Sequence, residues 1–374
     1  MKVLFIFGTR PEAIKMAPLV DLFKKQSSIE TKVCVTAQHR EMLDQVLDFF
    51  QITADHDLNL MQPNQTLFDI TAKGLKGLEQ VLEVEKPDLV FVQGDTTTCF
   101  IGALAAFYKQ CRVVHIEAGL RSFDKYSPFP EEINRSLTGK MADYHFAPTP
   151  KAQENLLREG VQENIFVVGN TVIDALFLGL DIIKNNDSHQ VPAFSKKINF
   201  DKKVILVTGH RRESFGKPFE NIANAIATIA HHHPEVEIVY PVHLNPNVRK
   251  VVNQFLSDID NIHLIEPLNY PDLIWLMNKS YLVLTDSGGI QEEAPALGKP
   301  VLVMRTVTER TEGIDAGTAK LVGTNQELII AETNRLLTDE AYYTSMSQAV
   351  NPYGDGTTSQ QILDIILEKE NIHE

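Results

Sequence analysis

The segment "YLVLTDSGGIQEEAP", residues 281–295, passes from an apolar run through a glycine pair into an amphipathic stretch. A buried strand that turns through Gly288-Gly289 straight into a helix is the repeating unit of a parallel α/β sheet. The turn also suits a phosphate. Glycines let backbone N–H groups approach an anion, and the first turn of a helix leaves its amides without intrahelical acceptors. Hydrogen bonds to a charged group contribute roughly 1.5–3 kcal/mol each, against about 0.3–1 kcal/mol from the helix dipole. The amides would therefore dominate. The stretch contains neither GxGxxG nor GxxxxGK[ST], so it is not one of the common nucleotide loops.

The same rhythm runs along the chain. Apolar, β-rich runs occur at 2–7, 31–36, 88–93, 112–116, 144–148 and 165–169, and again at 203–208, 236–241, 262–265, 281–285 and 300–304. Helical patterns fall between them, as at 18–25, 41–50, 68–83 and 219–231. A polar, proline-containing stretch near 183–202 breaks the alternation before it restarts. The expected fold class is α/β: two Rossmann-like, doubly wound parallel-sheet domains facing a cleft, spanning 1–170 and 171–350. The helical tail 351–374 is expected to cross back to the first domain. A chain of 374 residues accommodates two such domains.

Composition narrows the function. A net charge of −14 disfavours nucleic acid and anionic membranes as general partners. The N-terminal "VLFIF" is too short for a signal peptide, and no segment approaches the ~18 apolar residues of a spanning helix, so a cytoplasmic protein is expected. Cys34, Cys99 and Cys111 are scattered and read as reduced thiols rather than disulfides or zinc ligands. "DHD" (55–57) resembles a metal-binding DxD but is read as a short turn between helices. His231 to His233 end a helix before Pro234 and read as solvated cap residues.

In open parallel sheets the ligand lies beyond the carboxyl ends of the strands. The residues there are Arg10 and Lys15 in "GTRPEAIK", Asp95 in "GDTTT", Glu117 in "EAGLRS", His210, Arg211 and Arg212 in "GHRRES", and "DSGG" with Glu292 and Glu293. "SPFPEEINRSLTG" (127–139) adds Glu131, Glu132 and Arg135. Each also has an ordinary structural reading. Asp95 could cap the following helix. Glu117 needs a partner, for which Arg121 is one choice. Glu131 and Arg135 could be an i,i+4 helix pair. His210 could be structural. A carboxylate one turn into the helix after Gly288-Gly289 is placed for ribose hydroxyls rather than phosphate.

Taken together, "FGTRPEAIKMAPL", "TAQHREMLDQVL", "GDTTT", "EAGLRS", "SPFPEEINR", "TGHRRES", "DSGGIQEEAP" and "NPYGDG" closely resemble the non-hydrolysing bacterial UDP-N-acetylglucosamine 2-epimerases, over essentially the whole chain. The resemblance implies a fold like that of the GT-B glycosyltransferases and interconversion of UDP-GlcNAc and UDP-ManNAc. It also implies a homodimer that needs no metal or nicotinamide cofactor, with a product used for surface polysaccharide or teichoic-acid linkage synthesis. It makes Asp95, Glu117 and Glu131 the acid/base residues and Arg10, Lys15, Arg135 and His210 their cationic or polarising partners. The assignment of individual protons stays open, and His210 could instead protonate or orient the departing phosphate. Ser287, Gly288 and Gly289 would hold the pyrophosphate and Glu293 the ribose. His243 would join the nucleotide pocket, and the backbone of 267–273, including Leu273, would meet the uracil, with Trp275 close by. Gln38 and Arg211 match an activating second UDP-GlcNAc site found in some members. Glu41 and Asn64 stand where such members have Gln and Arg, which weakens that match. A GT-B glycosyltransferase and a hydrolysing 2-epimerase share parts of this pattern. The first would lack a use for the carboxylate trio, and the second often carries an additional kinase domain.

Overall fold

The computed structural model describes residues 1–37, 40–62, 65–185 and 192–372. Among these residues the first sheet contains β1 (Lys2–Phe7), β2 (Glu30–Val35), β3 (His56–Asp57), β4 (Leu89–Gln93), β5 (Arg112–Ile116), β6 (Tyr144–Ala147) and β7 (Ile165–Val167). Its seven strands are all parallel and lie in the order β3-β2-β1-β4-β5-β6-β7. The second contains β8 (Val204–Thr208), β9 (Glu237–Pro241), β10 (Ile262–Ile265), β11 (Leu282–Thr285), β12 (Val301–Val303) and β13 (Ala319–Leu321). Its six parallel strands run β10-β9-β8-β11-β12-β13. Both orders reverse beside the first strand of the sheet, between β1 and β4 and between β8 and β11. At that switch point the loops diverge to opposite faces and leave a crevice at the carboxyl edge.

The central strands are buried on both sides, which is why they read as unbroken apolar runs. In the first unit Phe5 stacks on Phe91 with ring centroids 4.5 Å apart, and Phe23 meets both edge-on. In the second, Ile205, Val207, Tyr240, Leu282 and Leu284 form the sheet side of a core closed by Ile226 and Ile229.

Three readings from the sequence need revision. "DHD" is not an inter-helix turn: His56 and Asp57 form β3, paired with Cys34 and Val35. Its side chains are engaged, Asp55 with Lys32 and the Val33 amide, His56 with Glu85 and Asp57 with Arg40. The strand β13 was not anticipated, since three residues carry too little pattern. The first helix begins at Arg10 rather than Pro18, because Pro11 lies in its first turn, where no backbone donor is needed.

The chain forms two compact units, 1–178 with 353–374, and 179–352. The division falls inside the helix Thr171–Asn185 rather than before it. The helix Thr358–Lys369 belongs to the first unit, where Ile362, Leu363 and Ile366 are wholly buried. Beyond its end, Glu370 accepts two hydrogen bonds from Arg112, at 2.6 and 2.5 Å, and one from the Tyr144 hydroxyl at 2.6 Å. Replacing Ile362 with alanine should destabilise the first unit by about 2–5 kcal/mol. Arg112→Ala, which breaks a half-exposed ion pair, should cost only about 0–1 kcal/mol. Urea denaturation of the two variants checks both, and equal losses would contradict the packing account.

Candidate active site

In the first unit, loops after β1, β4, β5 and β7 converge. Glu117 follows β5 in a left-handed conformation, with φ at 61°, and is buried. Lys15, on the helix Arg10–Lys24, donates to both its oxygens at 2.7 and 2.6 Å. Asn170, just after β7, donates to Oε1 at 2.9 Å, and Gln93, the last residue of β4, donates to Oε2. Arg121, one partner considered from the sequence, instead forms a bidentate pair with Glu159 at 2.7 and 2.8 Å.

Asp95 does not cap the following helix. Thr96 does, accepting from the Cys99 amide at 3.0 Å, and this leaves the Asp95 carboxylate to Arg135, whose Nη2 lies 2.6 Å away. Burial raises the Asp95 pKa against the opposing charge of Arg135, and the nearby Glu117 and Glu131 carboxylates push it up further while Lys15 lowers it. Two further carboxyls and two cations thus lie within electrostatic reach of Asp95. Glu131 opens the helix Glu131–Met141, half-buried, and is not the partner of Arg135, which reaches Asp95 and Glu132 instead. Arg10 is the first residue of its helix, at the carboxyl end of β1.

Several supporting residues were not singled out from the sequence. Glu12, 1% exposed, accepts from the amides of Gly8 and Thr9 at 3.0 and 2.8 Å and from the Thr96 hydroxyl at 2.5 Å. It ties the β1 loop to the β4 loop, and burial raises its pKa. The spacing of Thr9 and Glu12 is that of a capping box, which could have marked it. Glu132 accepts from the Ser122 and Phe123 amides at 3.0 and 2.9 Å, bracing the loop before Glu131. His115, fully buried on β5, bonds through Nε2 to the Gly94 carbonyl at 2.7 Å, and burial depresses its pKa to about 3. Neutral imidazole donating through Nε2 thereby fixes the residue before Asp95. Gln93 and Asn170 had no local signal.

In the second unit the turn after β11 leads into the helix Gly288–Ala296, with Ser287 at its N-terminal boundary. The Ser287 amide is used internally, donating to the Thr285 hydroxyl at 2.9 Å, whereas Gly288 and Gly289 fall in the first turn, where amides have no intrahelical acceptor. A Cβ on Gly288 would sit 3.3 Å from Cζ of Arg310, so this glycine makes room for a guanidinium beside the turn. Arg310, unmarked in the sequence reading, pairs with Glu292 at 2.9 Å. Glu293 is buried and accepts from the Tyr270 hydroxyl at 3.2 Å. His210 and His243 stack with centroids 4.8 Å apart and planes within 7°. Arg211 is half-buried beside them, with its amide held by Asp286 at 2.8 Å. Leu273 lies in the helix Tyr270–Lys279 with its amide already bonded to the Asn269 carbonyl at 3.1 Å. Trp275, two positions on and so near the opposite face of that helix, packs edge-on against Phe194 and Phe200. Gln38 and Asn64 lie outside the described residues. Among the described residues no group of three or more His, Cys, Asp or Glu side chains is arranged to hold a metal, and no helix is long and apolar enough to cross a membrane.

The fold defines a two-domain Rossmann-like protein, with a cluster of paired carboxylates in one domain and a glycine turn opening a helix in the other. Residues 22–367 match the family described as UDP-N-acetylglucosamine 2-epimerase. The chain is 58% identical to the UDP-N-acetylglucosamine 2-epimerase of Escherichia coli (strain K12), over 98% of each chain, and 59% identical to that of Yersinia pestis, over 97% of each. Among solved structures it resembles UDP-GlcNAc 2-epimerase from Neisseria meningitidis bound to UDP-GlcNAc, with a TM-score of 0.88 and 50% identity over 98% of this chain and 100% of that one. The enzyme from Methanocaldococcus jannaschii gives 0.86 and 37% identity over the same shares. The chain belongs to the UDP-N-acetylglucosamine 2-epimerase family.

His115 makes acid stability a test of the site's support. Its unfolded value is near 6.5 and its folded value about 3, so between these the unfolded chain binds more protons. Its contribution is therefore complete above the upper value and is lost progressively as the pH falls towards the lower one. His115→Gln, which keeps an amide donor for the Gly94 carbonyl, should flatten this part of the stability–pH curve. A slope unchanged by the substitution, measured by denaturant midpoints across that range, would contradict the buried neutral assignment.

Proposed function

We propose that the chain interconverts UDP-GlcNAc and UDP-ManNAc by eliminating UDP and adding it back. The C2 proton of the sugar is not acidic, because no carbonyl adjoins it on the ring. It becomes removable as the C1–O bond to UDP breaks and carries its electron pair to the phosphate, leaving oxocarbenium character at C1. Loss of the proton then forms the C1=C2 bond of 2-acetamidoglucal. Returning UDP to C1 while delivering a proton to the opposite face of C2 inverts that centre, with no net change in atoms or electrons. Such a route needs proton-handling groups on both faces and strong stabilisation of the departing diphosphate.

The observation that carries this reading is the cluster of Asp95, Glu117 and Glu131 with Lys15 and Arg135, in a chain of the epimerase family. Asp95, its pKa raised by burial and neighbouring carboxylates, is suited to hold and release a proton closer to neutrality. The second unit supplies the grip on UDP: the Gly288 and Gly289 amides with Arg310 for the diphosphate, Glu293 for the ribose, and His243 and the loop before Leu273 for the rest of the nucleoside. His210 serves the departing diphosphate, and Arg10 adds positive charge at the sugar end. By the same reading the enzyme is a cytoplasmic homodimer that needs no metal or nicotinamide and supplies surface polysaccharide synthesis. Arg211, with Gln38, would face a second, activating UDP-GlcNAc.

Incubating the protein with UDP-GlcNAc alone in deuterated water and recording proton NMR tests the proposal. UDP-ManNAc carrying deuterium at C2 is expected. Free ManNAc with UDP would indicate hydrolysis instead, and no change without an acceptor would favour a transferase. Asp95→Asn and Glu131→Gln should each lower turnover by about 10²–10⁴-fold and leave UDP affinity nearly intact by calorimetry. Near-normal C2 exchange in either variant would remove that residue from the proton chemistry.

A further inference from the structure

Parallel pairing of β8 with β11 sets Thr208 beside Thr285, so the residues that follow, Gly209-His210 and Asp286, emerge together at the switch point of the second sheet. The two threonine hydroxyls bond each other at 2.6 Å and brace this junction. Asp286 is 2% exposed. Its Oδ2 accepts from the amides of His210 and Arg211, at 2.7 and 2.8 Å, and the Tyr240 hydroxyl donates to the Gly209 carbonyl at 2.6 Å. The backbone that carries His210 is thus held from two strands. The other carboxylate oxygen, Oδ1, is buried with no hydrogen-bond partner among the described residues, and His210 Nδ1 lies 3.7 Å from it.

A buried carboxylate oxygen without a donor is unfavourable, and a small rotation of the half-exposed His210 ring would bring Nδ1 to hydrogen-bond distance. We propose that Asp286 is a positioning residue for His210, accepting the Nδ1 proton so that Nε2, on the opposite edge of the ring, is the atom offered to the departing diphosphate. A buried carboxylate sets the tautomer of a catalytic imidazole in this way in serine hydrolases. The proposal rests on the reading above that His210 serves that diphosphate.

The neighbours fit. His243, stacked on His210, accepts the Asn245 amide at its own Nδ1 at 3.1 Å, so in its neutral form its proton is on Nε2. Partial burial and the adjacent His210 lower the His243 pKa, with Asp286 opposing them. Tyr240, on β9, is kept protonated by burial and by Asp286, and so stays a donor to the turn.

Histidine-ring ¹⁵N–¹H correlation spectra of the full-length protein, with His210 assigned from its loss in His210→Gln, test this directly. In the wild type the neutral His210 ring should carry its proton on Nδ1. In Asp286→Asn, whose amide would now donate towards Nδ1, the proton should move to Nε2. The same variant should lower kcat by about 10–100-fold with little change in KM. A wild-type His210 protonated on Nε2 overturns the proposal, and does so even if the variant fails to fold. A natively folded variant with an unmoved tautomer makes Asp286 only a brace for the turn. A moved proton with kcat within about twofold of wild type would show that the tautomer is irrelevant to the reaction. Failure of the wild type to epimerise UDP-GlcNAc sinks the functional reading separately, because the tautomer is read without substrate.

Discussion

A single buried carboxylate organises the first unit. Glu117 sits at the end of β5 with its backbone in the left-handed region, a conformation that is unfavourable by about 1–3 kcal/mol for a residue with a side chain. Lys15, Gln93 and Asn170 hold it there, one from the helix after β1, one from the end of β4 and one from just after β7. Satisfying this one group therefore joins four strand ends into a rigid wall. Removing any partner would leave a buried charge short of a donor, which is why the loops have little freedom to part. Asp95 and Arg135 are set into that wall, and Glu12 fastens its β1 and β4 sections together.

The second unit sets a different group of side chains around its switch point. The Gly288 and Gly289 amides lie in the first turn of a helix, and the Arg310 guanidinium packs against that turn, where a Cβ at Gly288 would make a tight contact with it. Its buried carboxylates each have other engagements. Glu292 is taken by Arg310, Glu293 by Tyr270, and Asp286 faces the His210–Arg211 backbone. Two sheets of the same architecture thus differ in chemistry because different side chains occupy equivalent strand ends.

Much of this was legible in the sequence. Strands buried on both faces must be continuous apolar runs, so β1, β4, β5, β8, β9 and β11 stood out. The rule that ligands gather beyond the strand carboxyl ends then pointed to Asp95, Glu117, His210 and the 285–295 turn. Short edge elements did not stand out, since β3 and β13 bury too little to leave a pattern. Pairing was also misjudged. Arg121 lies only four residues from Glu117, yet it turns to Glu159, and Trp275 lies near Leu273 in sequence but faces the other side of its helix.

The sequence by itself determined two parallel α/β units and the residue types at their functional edges, because periodicity and turn chemistry are local properties. Only the tertiary structure decided which charges meet. Lys15 reaches Glu117 across 102 positions, Asn170 across 53, and Asp286 reaches the His210 amide across 76. Such pairings follow from strand order and register rather than from proximity along the chain. Burial at the carboxyl ends of the strands then makes each of them obligatory, since a polar group out of water must find its partner wherever the sheet has placed it.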